Sequence, residues 1–302
     1  MSKIHSSSFP SLRLRRGRSN PWIRNLLTEN KLTVNDLIWP IFICEGENKK
    51  EEISSMPNVY RYSIDRLDEI SETANDLGIN LVALFPYTPE EKKTEGGEES
   101  INSKNLICES LKKIKSQKNN FGIMCDVALD PYTSHGHDGL VNNDGEILND
   151  ETNSLLVKQA LLFTEHGADV IAPSDMMDGR IGMIRKSLDK NGYKMTQVLS
   201  YAIKYASSFY GPFRDAVGSK GLLKGNKKNY QMDFKNSNEA IREVALDIKE
   251  GADMVMVKPG LPYLDIIKLV KENFKIPVMA YQVSGEYSLL TNGIKKGLID
   301  KI

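Results

Sequence analysis

Two lysines stand at the ends of short apolar runs, where a side-chain amine can do covalent chemistry. Lys258 follows the run ADMVMV and precedes Pro259, and Lys204 comes just after the run 197–202. Burial at a strand end lowers the pKa of a lysine, and the neutral amine can attack a ketone to form an imine. We therefore expect Lys258 to be the principal covalent residue, although a lysine that only extends its amine to solvent would look the same.

Lys204 favours the catalytic interpretation because it repeats this placement on another run. If both lysines meet at one end of a sheet, each ammonium group lowers the pKa of the other by repulsion. The sequence therefore predicts a pair of reactive amines.

Three carboxylates are concentrated in the segment CDVALDPYTSHGHDG, residues 125–139. Asp126 and Asp130 share one face of a predicted strand with Ala128, and Asp138 follows a glycine-containing turn. Such carboxylates serve acid–base chemistry or hold a hard cation, with an ordinary acidic turn as the alternative. The HGH sequence of the turn has no third histidine nearby, so hydrogen bonding is favoured over zinc binding.

The segment 211–231 is polar and rich in glycine and lysine, which predicts a long loop over the site. Arg214, Lys227 and Gln231 within it are candidate partners for a substrate carboxylate, although a solvated loop would carry similar residues. Ser284 follows a further apolar run and offers a hydroxyl group to an anion.

Seven apolar runs are short enough for strands and alternate with helical patterns at 64–77, 153–166 and 237–250. No glycine-rich nucleotide-binding turn follows the first run, so a (β/α)8 TIM barrel is favoured over a doubly wound sheet. Barrel enzymes place their active sites at the C-terminal ends of the strands, where both lysines stand. The predicted strands span residues 37–44, 80–85, 122–129, 169–173, 197–202, 253–257 and 277–283.

Composition excludes several classes of function. The 302 residues contain 40 basic and 40 acidic side chains, so no net charge favours nucleic acid or an anionic membrane. No apolar run approaches the ~20 residues of a membrane span. Three cysteines without a paired spacing indicate a reducing, cytoplasm-like compartment. Residues 1–34 predict a basic arm, with a transit peptide as the alternative, and residues 35–302 a single barrel domain.

Several long, ordered motifs resemble the porphobilinogen synthase (5-aminolevulinate dehydratase) family. The resemblance runs from about residue 12 to the end of the chain. It implies a (β/α)8 barrel that condenses two molecules of 5-aminolevulinate to porphobilinogen with loss of water, without an organic cofactor, in heme or chlorophyll biosynthesis. The motifs are CDVALDPYTSHGHDG, SDMMDGR, SYAIKYASSFYGPFRDA, YQMD, REVALDIKEGADMVMVKPGLPYLDII and MAYQVSGEY.

The resemblance also implies roles for individual residues. Lys258 matches the lysine that forms a Schiff base with the propionate-side substrate, Lys204 matches the lysine that engages the acetate-side substrate, and Asp126 matches an active-site aspartate. Positions that bind the substrates or cover them are matched by the following residues: Arg214, Lys227, Gln231, Ser284 and Ser174.

The family's metal sites differ here. Zinc-type members carry cysteines where this chain has Ala128, Asp130 and Asp138, so the resemblance implies a zinc-independent type. It implies allosteric magnesium at Glu243, with Arg180 in the same subunit-contact region, and an active-site cation at Asp130 and Asp138. It further implies a homo-octamer in which the arm embraces a neighbour, in the cytoplasm or, in a photosynthetic eukaryote, the plastid.

Family members continue past a segment like GLIDKI with a helix and an eighth strand that carries a substrate-binding tyrosine. The resemblance therefore implies that a C-terminal segment is lacking here. We expect seven strands to leave the barrel open and the chain to be poorly soluble or inactive alone. Two alternatives remain: a truncated non-catalytic paralogue, and another Schiff-base aldolase, which would explain Lys258 but neither Lys204 nor the loop.

Overall fold

The computed structural model describes residues 8–218, 223 and 225–301. Contacts divide the chain into two compact units, Met1–Leu37 and Ile38–Ile302. In the first unit, helix α1 (Pro21–Leu26) lies between the 3-10 turns Leu14–Arg18 and Val34–Asp36. None of these three elements buries a residue.

Nine strands of the described residues form one sheet, in the order β2-β3-β1-β4-β5-β6-β7-β8-β9. All neighbours pair in parallel except β2 and β3. The seven predicted strands are all present, and the two short strands that sequence reasoning missed are polar or only partly apolar. The strands are β1 (Ile38–Cys44), β2 (Lys50–Glu52), β3 (Tyr60–Tyr62), β4 (Leu81–Tyr87), β5 (Gly122–Val127), β6 (Val170–Pro173), β7 (Gln197–Lys204), β8 (Met254–Lys258) and β9 (Val278–Ala280).

Eight helices of the second unit alternate with the parallel strands among its described residues. The prediction for 237–250 is confirmed, whereas the helix predicted from 153 begins at Asn149 and the one predicted from 64 begins with a 3-10 turn. Gly78 and Gly251 follow their helices with φ of 70° and 107°, a left-handed conformation that ends a helix. The helices are α2 (Leu67–Leu77), α3 (Leu106–Lys115), α4 (Asn149–Glu165), α5 (Arg180–Lys190), α6 (Gly211–Ala216), α7 (Ser237–Glu250), α8 (Leu264–Asn273) and α9 (Ser284–Lys295).

The core lies on the inner face of the sheet. Strands β6 and β8 are buried almost throughout because their other face is covered by helices, which explains their continuous apolar sequences. This α/β arrangement is of the TIM-barrel type that the sequence predicted. Large buried side chains of this cluster include Phe42, Phe85, Met124, Leu199, Tyr201 and Met256.

The sheet is not closed by strand pairing among the described residues, since β9 pairs only with β8. Helix α9 instead reaches the segment before β3. The hydroxyl group of Tyr287 donates to the carbonyl of Pro57 at 2.6 Å, and that of Ser288 donates to the carbonyl of Ser55 at 2.6 Å. Among the described residues, no helix has the length and apolar character needed to cross a bilayer.

Candidate active site

The two lysines lie side by side at the ends of neighbouring strands. Lys204 and Lys258 are register partners in β7 and β8, and each is the last residue of its strand. Strand β7 extends two residues beyond the predicted run, with a register irregularity between Ser200 and Ile203. Both lysines are buried, with 6% and 4% of their surface exposed. The predicted pairing of two amines at one end of the sheet is therefore present.

A pocket opens above these strand ends. It combines both lysines, two carboxylates, two aromatic rings and the cations of the predicted loop, so it brings together most of the predicted site. Its lining residues are Asp126, Asp130, Ser174, Lys204, Tyr210, Phe213, Arg214, Lys227, Gln231 and Lys258.

Lys258 is surrounded by aromatic rings. Its Nζ lies 4.4 Å from the ring centre of Tyr281 and 5.0 Å from those of Tyr201 and Phe213. Burial, followed by repulsion from Lys204, lowers the pKa of Lys258 to about 8. The lowered pKa leaves a larger fraction of this amine neutral and nucleophilic near neutral pH than in an ordinary lysine.

Lys204 is surrounded by oxygen atoms. Its Nζ donates to Asp138 Oδ2 at 3.0 Å and to the carbonyl oxygen of Ser174 at 2.5 Å. Burial alone would lower the pKa of Lys204, but the negative charges of Asp138, Asp130 and Asp126 outweigh it and raise the pKa. The expectation that each lysine lowers the pKa of the other is thus wrong for Lys204, because its carboxylate neighbours dominate.

Asp138 is shared between two lysines. Lys227 from the predicted loop donates to its Oδ1 at 2.7 Å, and lies 3.7 Å from Asp130 Oδ2. Burial opposes ionisation of Asp138, yet Lys204 and Lys227 hold its pKa well below the usual range. Burial, followed by the charge of Asp138, raises the pKa of Asp130.

Asp126 has one free carboxylate oxygen. Its Oδ2 accepts a hydrogen bond from the hydroxyl group of Ser174 at 3.1 Å, while its buried Oδ1 has no hydrogen-bond partner among the described residues. Burial raises the pKa of Asp126 to about 6, against the opposing charges of Lys258 and Lys204. A carboxyl group with this pKa can take up and release a proton near neutral pH.

The predicted loop is partly structured. Residues 211–216 form α6, and the part at 219–222 and 224 lies outside the described residues. The end of the loop is joined to β7, because the N–H of Met232 donates to the carbonyl of Lys204 at 3.0 Å. The hydroxyl group of Tyr230 lies 3.2 Å from His137 Nδ1, which agrees with the hydrogen-bonding turn expected there.

Three predicted residues lie elsewhere. Ser284 begins α9, outside the lining of this pocket; it is 4% exposed, and its hydroxyl oxygen has no partner among the described residues. Glu243 lies on α7. Arg180, expected at a subunit contact, is 2% exposed and pairs within the chain with Asp175 at 3.5 Å and Asp247 at 3.4 Å.

Sequence reasoning missed the aromatic side chains around Lys258. Tyr281 and Tyr201 lie close to the ends of β9 and β7, and Phe213 lies on α6. The sequence does carry one signal. Tyrosine and phenylalanine are frequent in the motif that contains Lys204, SYAIKYASSFYGPFRDA, and tyrosine is frequent in the motif that contains Ser284, MAYQVSGEY. Nothing in the sequence pattern showed that these rings converge on one amine.

Comparison with known proteins places this geometry in a family. The sequence model described as delta-aminolevulinic acid dehydratase matches residues 11–302. The chain belongs to this family. The family member of Bradyrhizobium diazoefficiens is 54% identical, over 96% of this chain and 82% of the relative. That of Rhodobacter capsulatus is 51% identical, over 97% of this chain and 88% of the relative.

A solved structure of the family has the same fold. The Toxoplasma gondii delta-aminolevulinic acid dehydratase (porphobilinogen synthase), in complex with the reaction product porphobilinogen, superposes with a TM-score of 0.93 at 46% identity. The match covers 96% of this chain and 82% of that one. The resemblance stated from the motifs is therefore confirmed.

The carboxylates of the pocket do not fit a metal ion. No group of at least three His, Cys, Asp or Glu side chains that could hold one occurs in the part of the chain that the structure describes. Asp130 and Asp138 face the ammonium groups of Lys204 and Lys227 instead. A divalent cation between these carboxylates would have to displace a lysine.

Proposed function

We propose that this chain condenses two molecules of 5-aminolevulinate to porphobilinogen with loss of water, through imines at Lys258 and Lys204. The observation that carries the proposal is the register pairing of the two lysines inside one pocket, in a chain of the delta-aminolevulinic acid dehydratase family. The relative of known structure that binds porphobilinogen supports the substrate assignment.

The first imine forms at Lys258. Its neutral amine attacks the ketone carbonyl of one substrate, and the carbinolamine formed must lose a hydroxyl group as water. Asp126 supplies the proton for that departure, because its raised pKa leaves a fraction protonated and its Oδ1 has no hydrogen-bond partner among the described residues. The aromatic rings around Lys258 exclude water and stabilise the cationic iminium group.

The second amine acts after it loses a proton. Lys204 is held as an ammonium group by Asp138, so its imine forms only when a proton passes to a neighbouring carboxylate. Arg214 and Lys227 line the same pocket and bind the carboxylate of the acetate-side substrate. Ser284 binds the carboxylate of the other substrate through its hydroxyl group, which has no hydrogen-bond partner among the described residues.

The test is product analysis with 5-aminolevulinate as the only substrate. Formation of porphobilinogen supports the proposal, and borohydride reduction during turnover attaches substrate mass to Lys258. An imine at Lys258 without porphobilinogen indicates the alternative, another Schiff-base aldolase. Absence of both imine and product indicates a non-catalytic paralogue.

We propose that magnesium acts at Glu243, away from the pocket. Burial, followed by the negative charge of Asp247 one turn along α7, raises the pKa of Glu243, so its negative charge is incompletely balanced. Magnesium needs only one or two carboxylates because it keeps several of its waters. When bound it would supply positive charge at α7, and no step of the reaction passes through it.

We propose that this chain forms a homo-oligomer in which the first unit contacts a neighbouring copy. The resemblance to the family implies that this oligomer is an octamer. Large apolar side chains that would favour association are exposed along this unit. Light scattering of the full chain and of a chain that lacks residues 1–34 tests this, and the second should be smaller. The exposed residues are Phe9, Leu14, Trp22, Leu26 and Leu32.

We propose the cytoplasm as the compartment. The three cysteines are free and buried, which agrees with a reducing environment. Fractionation of the native source with an antibody to this chain tests the assignment, with the plastid as the alternative outcome.

A further inference from the structure

The carboxylate of Glu286 joins two loops that follow neighbouring strands. Glu286 lies in the first turn of α9 and is 1% exposed. Its Oε2 accepts the N–H of Val283 at 2.6 Å, and its Oε1 accepts the N–H of Leu261 at 2.5 Å. Leu261 follows β8 and Lys258, whereas Val283 leads into Ser284. One buried side chain therefore ties the loop after the lysine to the helix that begins with the serine.

The start of α9 is also held from the side of β7. A Cβ atom on Gly285 would lie 2.4 Å from the carbonyl oxygen of Phe209, so the helix packs directly against backbone there. Phe209 belongs to the 3-10 turn Ser208–Tyr210, which follows β7 and Lys204. The first turn of α9 thus lies between the loops of both lysine strands, and Glu286 makes the hydrogen bond to one of them.

A carboxylate suits this position better than any other side chain. Both of its partners are backbone N–H donors, and an ionised carboxyl group has two acceptor oxygens and no donor. A glutamine of the same shape would turn an NH2 group toward one of the two N–H groups. It would therefore keep one contact and lose the other.

We propose that Glu286 is a positioning residue that sets the separation between the Lys258 amine and the Ser284 hydroxyl group, which together hold one substrate molecule. The inference rests on the proposed function. The hydroxyl oxygen of Ser284 is buried without a partner among the described residues, as expected of a group whose partner is a ligand. Glu286 touches neither the substrate nor the reacting atoms and acts only through the two loops.

The test uses Glu286→Gln, with Glu286→Asp as the shorter carboxylate and Tyr287→Phe as a control. The control removes only the hydroxyl group that donates to Pro57, from the same helix. Borohydride trapping of 5-aminolevulinate in the full chain is followed at each lysine by peptide mass spectrometry. Glu286→Gln should raise the half-saturating concentration at Lys258 about tenfold and at Lys204 less than about twofold. KM should rise more than kcat falls, and Tyr287→Phe should behave as the wild type.

Two results overturn the inference. One is unchanged half-saturation at Lys258 in a folded Glu286→Gln protein, and the other is an equal loss at both lysines, which marks a general structural role. If the glutamine variant does not fold, Glu286→Asp decides by the same criterion, because it keeps the charge but is one methylene too short to make both contacts. A wild type that forms no porphobilinogen rejects the proposed function instead, and trapping at the two lysines still decides the role of Glu286.

Discussion

Lys204 and Lys258 are register partners with the same burial, yet their surroundings are opposite in kind. Lys258 faces the rings of Tyr281, Tyr201 and Phe213, whereas Lys204 faces carboxylates, above all Asp138. The pKa of Lys258 is lowered and that of Lys204 is raised. The strands bring the two amines together, but side chains from other segments decide which one is ready to react.

The difference orders the two imines. The amine with the lowered pKa is more often neutral and captures substrate first, whereas the amine that is held as an ammonium group needs a proton acceptor before it reacts. Four experiments test this difference between Lys204 and Lys258.

Removal of each amine has the largest expected effect. Lys258→Ala should abolish trapping at position 258 and lower turnover by on the order of 10³-fold or more, because no other amine replaces this nucleophile. Lys204→Ala should lose turnover as well but keep trapping at Lys258, because that imine forms independently. Lys228→Ala, on an exposed part of the loop, is the matched control and should keep full activity. Substrate label elsewhere, with active Lys258→Ala, would contradict the assignment.

The two lysines should change stability in opposite directions. The folded-state pKa of Lys258 is about 8, below the unfolded value, so the unfolded chain binds more protons between the two values. The resulting penalty is complete below about pH 8 and disappears as the pH rises toward ~10.4. Lys258→Met should therefore stabilise the fold at pH 7, by on the order of 1–3 kcal/mol after the loss of ring contacts.

Lys204→Met should destabilise the fold instead. The raised pKa of Lys204 means that its ammonium group contributes stability below the unfolded pKa, and this contribution is lost as the pH rises through the folded pKa. Its removal leaves Asp138 buried with one partner fewer, at a cost of about 3–5 kcal/mol. Urea unfolding at pH 7 measures both variants, and shifts of the same sign would show that the contrast between the two environments is wrong.

The sequence predicted the strands and helices better than it predicted the surroundings of the two lysine amines. The apolar runs that form β6, β7 and β8 are continuous because both faces of these strands are covered. Such a run can be recognised from the local sequence alone. The strand ends then place Lys204 and Lys258 at one edge. Strands β2 and β3 were missed because neither is a continuous apolar run.

The direction of the Lys204 pKa shift could not be predicted from such a local apolar pattern. It depends on Asp138, whose charge is held by Lys227, a residue 89 positions along the chain. The rings around Lys258 likewise come from β7, α6 and the segment after β9. Periodicity shows which residues are buried but not which loops meet, so the side chains that tune each amine were left undetermined.

A smaller effect is expected when Asp138 is neutralised. Asp138→Asn removes the largest attraction that raises the pKa of Lys204, so trapping at Lys204 should move to lower pH. The pH profile at Lys258 should move less, because Asp138 is the weakest of the charges that act on it. Peptide mass spectrometry across a pH series measures both, and an equal shift at the two lysines would show that Asp138 does not distinguish them.

The smallest effect is expected from removal of zinc. Asp130 and Asp138 are engaged with Lys204 and Lys227, and Ala128 offers no ligand, so the cations that balance these carboxylates belong to the chain itself. A zinc-selective chelator should change the rate by less than about twofold, because soft thiolate ligands, which zinc prefers, are absent from this segment apart from the buried Cys125. If magnesium is added to the chelated protein, it should act through Glu243. Glu243→Gln should then remove the response to magnesium and leave trapping at Lys258 unchanged. Stoichiometric zinc that restores activity would mean that a metal displaces Lys227 from Asp138, and that a metal can replace an ammonium group in balancing the charges of Asp130 and Asp138.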